Sequence, residues 1–499
     1  MPDRIDAASD KHIVQIQAEE PARLWAAVIL LMGLGVIATA WFPLLSITAL
    51  PSENYNEGWN AYRQWMTIEG QPLYGSHPAL WTTNYPFLSF HIIGLLGAAK
   101  GNMVLAGRIV CFASLIATSV LAGGIVRGAT DSRAGALYAG LCLFAWLASF
   151  NGAGRAANDP ELLSVAFATF GLFAYLKASR GIFWPTLSAI AFSLSLFTKH
   201  DLITFPLSVG VHLLITRNWR TLAVFLGSSI IASGLLLALS FHLDGSYFFT
   251  ELLQPRAYSF RNLTEETLHY LLHFLVPLLV GVVCLLRDRT TPYRSFLFTL
   301  LVFTNLSSIY FSGGDGVGSN IFYPPLIADL LSCVIAICWL ERRALSVPHT
   351  RRSFKTALII STLAGALMVP FQLHNDIEAQ LRLPAATQAA QQAIALLKST
   401  NGPAICEDLL LCYEAGKPMD YDPYYVNDQI RIRRVQERSI LAMLTAHHYA
   451  AIQMNGMADT ASLAHRKDAR FTIPFLRTFF AQYRPVLVNR SYSVFVPRE

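Results

Sequence analysis

Charge is what this chain has least of. Of 499 residues only 14% are Asp, Glu, Lys or Arg, against about a quarter in soluble globular domains, which excludes a disordered chain and argues against an ordinary soluble enzyme. The basic excess is small too, a formal +6 with an isoelectric point near 8.9. No run of five or six basic residues occurs, so no nucleic acid is expected as a partner. Seven cysteines are too few for a disulfide scaffold, and no two form the Cys-x-x-Cys pair that suggests zinc. What the chain has is apolar surface: 54% hydrophobic residues and a mean hydropathy of +0.42. These read together as an integral membrane protein.

A membrane helix needs about 20 mostly apolar residues. Such stretches lie near 24–46, 104–126, 134–150, 161–178, 182–198, 202–216, 221–243, 268–286, 295–311, 321–340 and 356–373. The first is too long for a signal peptide and is expected to remain as a helix. The runs 182–198 and 202–216 are short and separated only by Lys199, His200 and Asp201, and can be two full spans or a broken pair. With about eleven spans, five basic clusters fall on one side: Arg127 and Arg133; Lys177 and Arg180; Arg217 and Arg220; Arg287, Arg289 and Arg294; Arg342, Arg343, Arg351, Arg352 and Lys355. Positive residues mark the cytoplasm. The alternate loops 47–103, 151–160, 199–201, 244–267 and 312–320, with everything after the eleventh run, are then extracytoplasmic, and the N-terminus is cytoplasmic. The expected location is a bacterial cytoplasmic (inner) membrane, with the C-terminal domain in the periplasm.

The first outer loop is long and carries Trp59, Tyr62, Trp65, Tyr74, Trp81 and Tyr85. Segment 87–99 is apolar but only about half a membrane thick, which predicts a helix at the interface. Residues 374–499 have soluble composition and read as helix 383–399, strand 403–406, a turn-rich connection 416–425, helix 429–446, strand 449–454 and a strand pair around 484–497. The expected fold is mostly α: a transmembrane catalytic domain over 1–373 and a small extracytoplasmic α/β domain over 374–499. Cys406 and Cys412 fall in that domain, where an oxidising compartment permits a disulfide unless strand geometry points the side chains apart.

Glu53 and Glu57 stand just after the first span. Carboxylates at the mouth of a membrane cavity suit proton transfer; alternatively they are solvated loop acids. Lys199 between two apolar runs is costly unless used, with Asp201 beside it offering a plain ion pair. Arg108, inside a span, can snorkel. The sequence GGDGVG at 313–318 lacks the preceding strand and the Gly-Lys-Ser/Thr of a nucleotide loop and reads as a turn. His447 and His448 have no spaced partner ligands and read as structural, and Asp420 and Asp422 read as turn caps.

The order of these features resembles a family. An acid-bearing loop after the first helix, the turn Gly70-Gln71-Pro72-Leu73-Tyr74, the Tyr85-Pro86-Phe87-Leu88 start of a juxtamembrane helix and Ala106-Gly107-Arg108 opening the next span are similar to bacterial polyprenyl-phosphate-sugar-dependent glycosyltransferases. These belong to the GT-C superfamily, with the protein O-mannosyltransferases and the lipid A aminoarabinose transferases. The resemblance covers roughly 24–345. It implies a second acid at Asp159 in Asn158-Asp159-Pro160, donor contacts at Lys199 and His200 in LFTKHD and at Asn84 and Tyr85, and the Asn320-x-x-Tyr323-Pro feature after the glycine-rich turn. Two departures stand out. Asn56-Glu57 replaces an Asp-Glu pair, and Tyr85-Pro86-Phe87 replaces a Pro-Pro or Lys-Pro-Pro.

The implied activity is transfer of a sugar, as a hexosyl- or pentosyltransferase, from a polyprenyl-phosphate donor to a hydroxyl of a lipid, glycan or protein acceptor, by inverting displacement. Such a step needs a carboxylate base and cations for the departing lipid phosphate. Glu57 is the expected base, Glu53 its rival four residues earlier, and Asp159 would orient the acceptor or hold an optional metal. Lys199, Arg256 and Arg261 are the candidate cations. The resemblance fixes no cofactor: an Asp or Glu pair can hold a divalent ion, and many members of the family work without one. The alternative is a flippase or transporter of lipid-linked glycans, but the two related halves such proteins often show are not found. A non-catalytic assembly factor, a third class, would tolerate loss of Glu57 and Lys199.

Overall fold

In the computed structural model of the chain, residues 3–75, 80–287, 289–291, 293–344, 347–457 and 470–499 are described. The protein is mostly helical, with a small sheet confined to its C-terminal part. The apolar stretches of the sequence become helices α1 (Asp3–Ser46), α4 (Met103–Thr130), α5 (Arg133–Phe150), α6 (Glu161–Tyr175), α7 (Phe183–Thr198), α8 (Thr204–Ile215), α9 (Trp219–Asp244), α11 (Phe260–Arg287), α12 (Arg294–Phe311), α13 (Tyr323–Ala344) and α14 (Pro348–Ala366). Among the described residues eight helical segments are long and apolar enough to cross a membrane. Helices α6, α7 and α8 are shorter, and between the last two Lys199 is extended and a 3-10 turn spans His200–Ile203.

Local chemistry sets several boundaries. The Asn102 side chain caps α4 by accepting from Leu105 N at 2.9 Å, and Ser132 caps α5 by accepting from Gly135 N at 3.0 Å. Helix α13 is the hub of the bundle: Tyr323–Cys338 is buried throughout and packs on α4, α5, α11, α12 and α14. By contrast α9 turns Ile230, Ile231 and Leu235 outward, each about two-thirds exposed or more, as a lipid-facing helix does. This is a polytopic membrane protein.

The long connection between α1 and α4, expected as the first outer loop, is built rather than loose. It carries α2 (Asn56–Ile68) and α3 (Leu88–Lys100), the latter matching the expected interfacial helix and ending at Gly101 with φ 70°. Helix α10 (Phe248–Leu252) lies in the loop after α9, and α15 (Met368–Ser399) runs without a break through residues 373 and 374, where the sequence changes composition. Beyond it lie β1 (Ala404–Cys406), α16 (Leu409–Glu414), α17 (Pro423–Arg431), α18 (Glu437–Thr445), β2 (Ala451–Asn455), α19 (Ile473–Gln482), β3 (Tyr483–Val488) and β4 (Tyr492–Pro497). The strand order is β1-β2-β4-β3, with β1 and β2 parallel and the other pairs antiparallel. The expected single helix over 429–446 is two helices, because the chain turns between them with Arg433 at φ 62°. Helix α19 was not anticipated.

The C-terminal part is clamped onto the outer loop. Helix α16 lies against α2 so closely that a Cβ on Gly58 would come 2.1 Å from Leu410 N and 2.4 Å from the Leu409 carbonyl carbon. Only glycine fits that approach. The segment that touches Gly58 is itself tied back by the Cys406–Cys412 disulfide, Cα–Cα 5.8 Å. Closing so short a loop stabilises by about 2 kcal/mol on the chain-entropy account. Alkylation and mass spectrometry of unreduced protein should therefore find Cys406 and Cys412 unmodified, and reductant should lower the unfolding temperature. Two free thiols in protein taken from an oxidising compartment would refute the bond.

Candidate active site

The residues that open the outer loop are organised by one buried ion pair. Arg108, near the start of α4, presents Nε to Glu57 Oε1 and Nη2 to Glu57 Oε2, both at 2.7 Å, with both side chains almost wholly buried. The guanidinium does not snorkel: its remaining donors go to the carbonyls of Ala49 at 2.6 Å and Pro51 at 2.9 Å, which ties down the chain leaving α1. Glu57 is saturated in turn. Besides the two Arg108 bonds it accepts from Asn158 N at 2.8 Å and Glu53 N at 2.7 Å. Next to it, Gly107 leaves room for Asn158, whose Oδ1 would lie 1.8 Å from a Cβ there. Asn158 and Gln64 exchange two amide hydrogen bonds, at 2.7 and 2.9 Å, and the Asn158 carbonyl accepts from Asn60 at 2.7 Å. The Ala-Gly-Arg motif thus fixes the loop before α6 against the start of α2.

Above this base lies a cavity of about 690 Å³ walled by the outer connections. It gathers Asp159, Lys199, His200, Tyr85, Arg256, Asn320 and Tyr323 from five separate stretches of the sequence. Asp159 is held by its flanks: Oδ1 accepts from Glu161 N at 3.0 Å, and Oδ2 accepts from Asn56 Nδ2 at 2.9 Å. No cation of the described residues pairs with it. Lys199 is buried, bonded to Glu161 Oε2, 3.6 Å from Asp201 Oδ2 and 5.5 Å from the centre of the Tyr85 ring. Asn320 donates to the same Glu161 oxygen at 2.7 Å. Glu161 Oε1 and Asp201 Oδ1 have no hydrogen-bond partner among the described residues. Arg256 is exposed at the cavity wall.

The glycine-rich turn forms one rim, as a turn and not a nucleotide loop. Gly313 O accepts from Ser259 N at 2.7 Å, Asp315 N donates to Ala257 O at 2.8 Å, and Arg431 of α17 reaches Asp315 at 2.7 Å. Asp422 caps α17 by accepting from Tyr425 N at 3.0 Å, and its Oδ1 also accepts from the Tyr55 hydroxyl at 2.5 Å. Burial pushes the carboxyls of Asp422, Asp408 and Glu53 above their ordinary range. Burial likewise draws the Arg63 guanidinium, stacked between Trp59 and Trp81, down to about 10.

Seven of the eleven expected site residues meet in this one cavity. Asn84 lies in an adjoining chamber. Arg261 lies outside both, exposed on α11 and paired with Glu265 at 2.8 Å. Glu57 and Glu53 line neither. Glu57, the expected base, has its oxygens closed by four donors; the carboxylates lining the open space are Asp159, Glu161 and Asp201, and of these Glu161 and Asp201 are paired with Lys199. Sequence reasoning missed Glu161, whose only signal was an acid in the first turn of an apolar helix, and treated Asp201 as a local ion-pair partner. Among the described residues no group of three or more His, Cys, Asp or Glu could hold a metal ion. Asp159 is instead occupied by amide N–H donors.

In fold the chain is similar to ArnT from Cupriavidus metallidurans bound to undecaprenyl phosphate, with a TM-score of 0.60 and 14% identity over 94% of this chain and 98% of that one. It is also similar to the Archaeoglobus fulgidus oligosaccharyltransferase tethered with an acceptor peptide, at a TM-score of 0.55 and 10% identity, covering 95% of this chain and 74% of that one. A third similar structure is AglB from the same archaeon in complex with an inhibitory peptide and a dolichol-phosphate, with a TM-score of 0.54, 10% identity and coverage of 92% and 72%. No family model and no curated protein sequence matches the chain. At these identities the likeness shows the fold alone, which this chain shares with these structures.

Proposed function

We propose that this chain is a membrane glycosyltransferase that moves a sugar from a polyprenyl-phosphate donor to an acceptor hydroxyl on the outer face of a bacterial cytoplasmic membrane. The observation that carries the reading is the cavity itself, in which an unpaired carboxylate, Asp159, shares one space with Lys199 and Arg256. Structures of this fold bound to undecaprenyl phosphate and to a dolichol-phosphate add support for the donor class. On the same reading the chain crosses the membrane about eleven times, with its N-terminus in the cytoplasm and residues 374–499 outside.

In the proposed step the acceptor oxygen attacks the anomeric carbon as the bond from that carbon to the phosphate oxygen breaks, inverting the centre. Asp159 accepts the acceptor's proton; Arg256 and Lys199 stabilise the charge that collects on the departing lipid phosphate. Glu57 is a positioning residue: with Arg108 it holds Asn158 and so the turn that carries Asp159. No step runs through a metal.

Purified protein given a radiolabelled polyprenyl-phosphate sugar should transfer label, and absence of transfer with every donor tried would leave the transporter reading standing. Asp159→Asn should lower turnover by roughly 10²–10⁴-fold while donor binding survives. Arg256 is exposed, so its loss spares the fold; Arg256→Ala should remove about 1.5–3 kcal/mol of donor stabilisation, read as roughly a 10–150-fold fall in kcat/KM. An unchanged kcat/KM would take Arg256 out of the site.

Glu57→Gln separates positioning from chemistry. Removing one partner of a buried ion pair destabilises by roughly 3–5 kcal/mol, so this variant should show a clear drop in unfolding temperature. Collapse of turnover at an unchanged unfolding temperature would return the base role to Glu57.

A further inference from the structure

Beside the main cavity is a chamber of about 240 Å³. The two share Tyr55, Asn56, Tyr85, Gln254, Arg256 and Gly316, so they adjoin across a common wall, and the C-terminal part lines the chamber with Asp422, Tyr424, Tyr425, Asp428, Gln429 and Arg470. The walls of the two spaces differ in aliphatic content. The main cavity includes Ile203, Leu252, Leu253, Phe311, Val317 and Ile321, a surface suited to an isoprenoid. Among the described residues the chamber is lined by no Val, Leu, Ile, Met or Phe at all. It offers rings (Trp59, Tyr424, Tyr425) and planar polar groups (Asn84, Asp428, Gln429) instead.

We propose that this chamber is the acceptor subsite and that it holds a sugar ring, so that the acceptor is a saccharide, either a free glycan or the headgroup of a glycolipid; the proposal rests on the transferase reading. Sugar hydroxyls both donate and accept, and so pair with amide and carboxylate side chains, while the C–H faces of the ring pack on aromatic rings. An acyl chain finds no aliphatic wall here. The volume is below the roughly 300–1,000 Å³ of drug-sized sites, which fits a single ring.

The chamber is also preorganised. Tyr55 is fixed by its 2.5 Å bond to Asp422 and by the Arg470 guanidinium 3.9 Å from its ring centre. Asp428 accepts from Ala257 N at 3.2 Å, and Arg63 lies 4.9 Å from the centre of Trp59. Asn56 lines both spaces and donates to Asp159. A hydroxyl leaving the chamber therefore meets Asp159 next.

The test uses the full chain in nanodiscs and reads binding apart from transfer. Saturation-transfer NMR is recorded with glucose, galactose, mannose, ribose and short oligosaccharides, with a soluble glycolipid, and with a Ser/Thr peptide. Undecaprenyl phosphate binding is measured separately. A saccharide signal in the natural protein that falls at least tenfold in both Tyr425→Leu and Gln429→Leu, while undecaprenyl phosphate still binds, supports the proposal; free sugar against glycolipid then separates the two sources. No saccharide signal, a signal indifferent to both substitutions, or binding of the peptide alone overturns it. Failure of the transferase reading appears elsewhere, as absent donor binding and absent transfer in the natural protein.

Discussion

The constraint on which the rest depends is the pairing of Arg108 with Glu57. A guanidinium near the start of a membrane helix is tolerated only with its charge matched and its donors filled. Here the match is two-pronged, and the spare donors take up carbonyls of the chain as it leaves α1. One interaction thereby joins the end of the first span, the start of α2, the start of α4 and, through Asn158 N, the turn before α6. The acid, the base and the glycine beside it form one device: without the space at Gly107, Asn158 could not reach Gln64.

From that fixed floor the site is assembled by parts far apart in sequence. The break between α7 and α8 brings Lys199 against Glu161, the Asn320 amide closes the same carboxylate, and the glycine-rich turn is held from outside by Arg431. The C-terminal part is therefore a wall of the adjoining chamber and not an appendage. Helix α16 pressed on Gly58 and the Tyr55–Asp422 bond fix its seat on the outer loop.

Much of the fold was legible because a membrane makes hydropathy unambiguous: each long apolar run is a helix, and the short run at 87–99 is α3. The pairing of side chains was not legible. Glu57 looked like a base because an acid at a cavity mouth usually is available, and nothing local announces that its partner lies 51 residues away. Lys199 announced itself, being a charge between apolar runs, whereas Glu161 looked like an ordinary first-turn acid until α7 brought the lysine to it. The break at Arg433 escaped because the residue adopts a positive φ without being glycine or asparagine, and tertiary packing, not propensity, put it there.

The departure at position 56 is best understood together with Asp159. Relatives of the resembling family carry an acid where this chain has Asn56, and here the Asn56 amide donates to Asp159 Oδ2 at 2.9 Å. Two carboxylates at that distance would repel each other. An amide avoids that repulsion. It donates to Asp159 while adding no charge of its own, and on the proposed reading this leaves a single carboxylate there as the proton acceptor, in one cavity with Lys199 and Arg256. Because Asn56 also lines the polar chamber, the proposal makes the residue that donates to Asp159 the same one that an incoming acceptor hydroxyl passes.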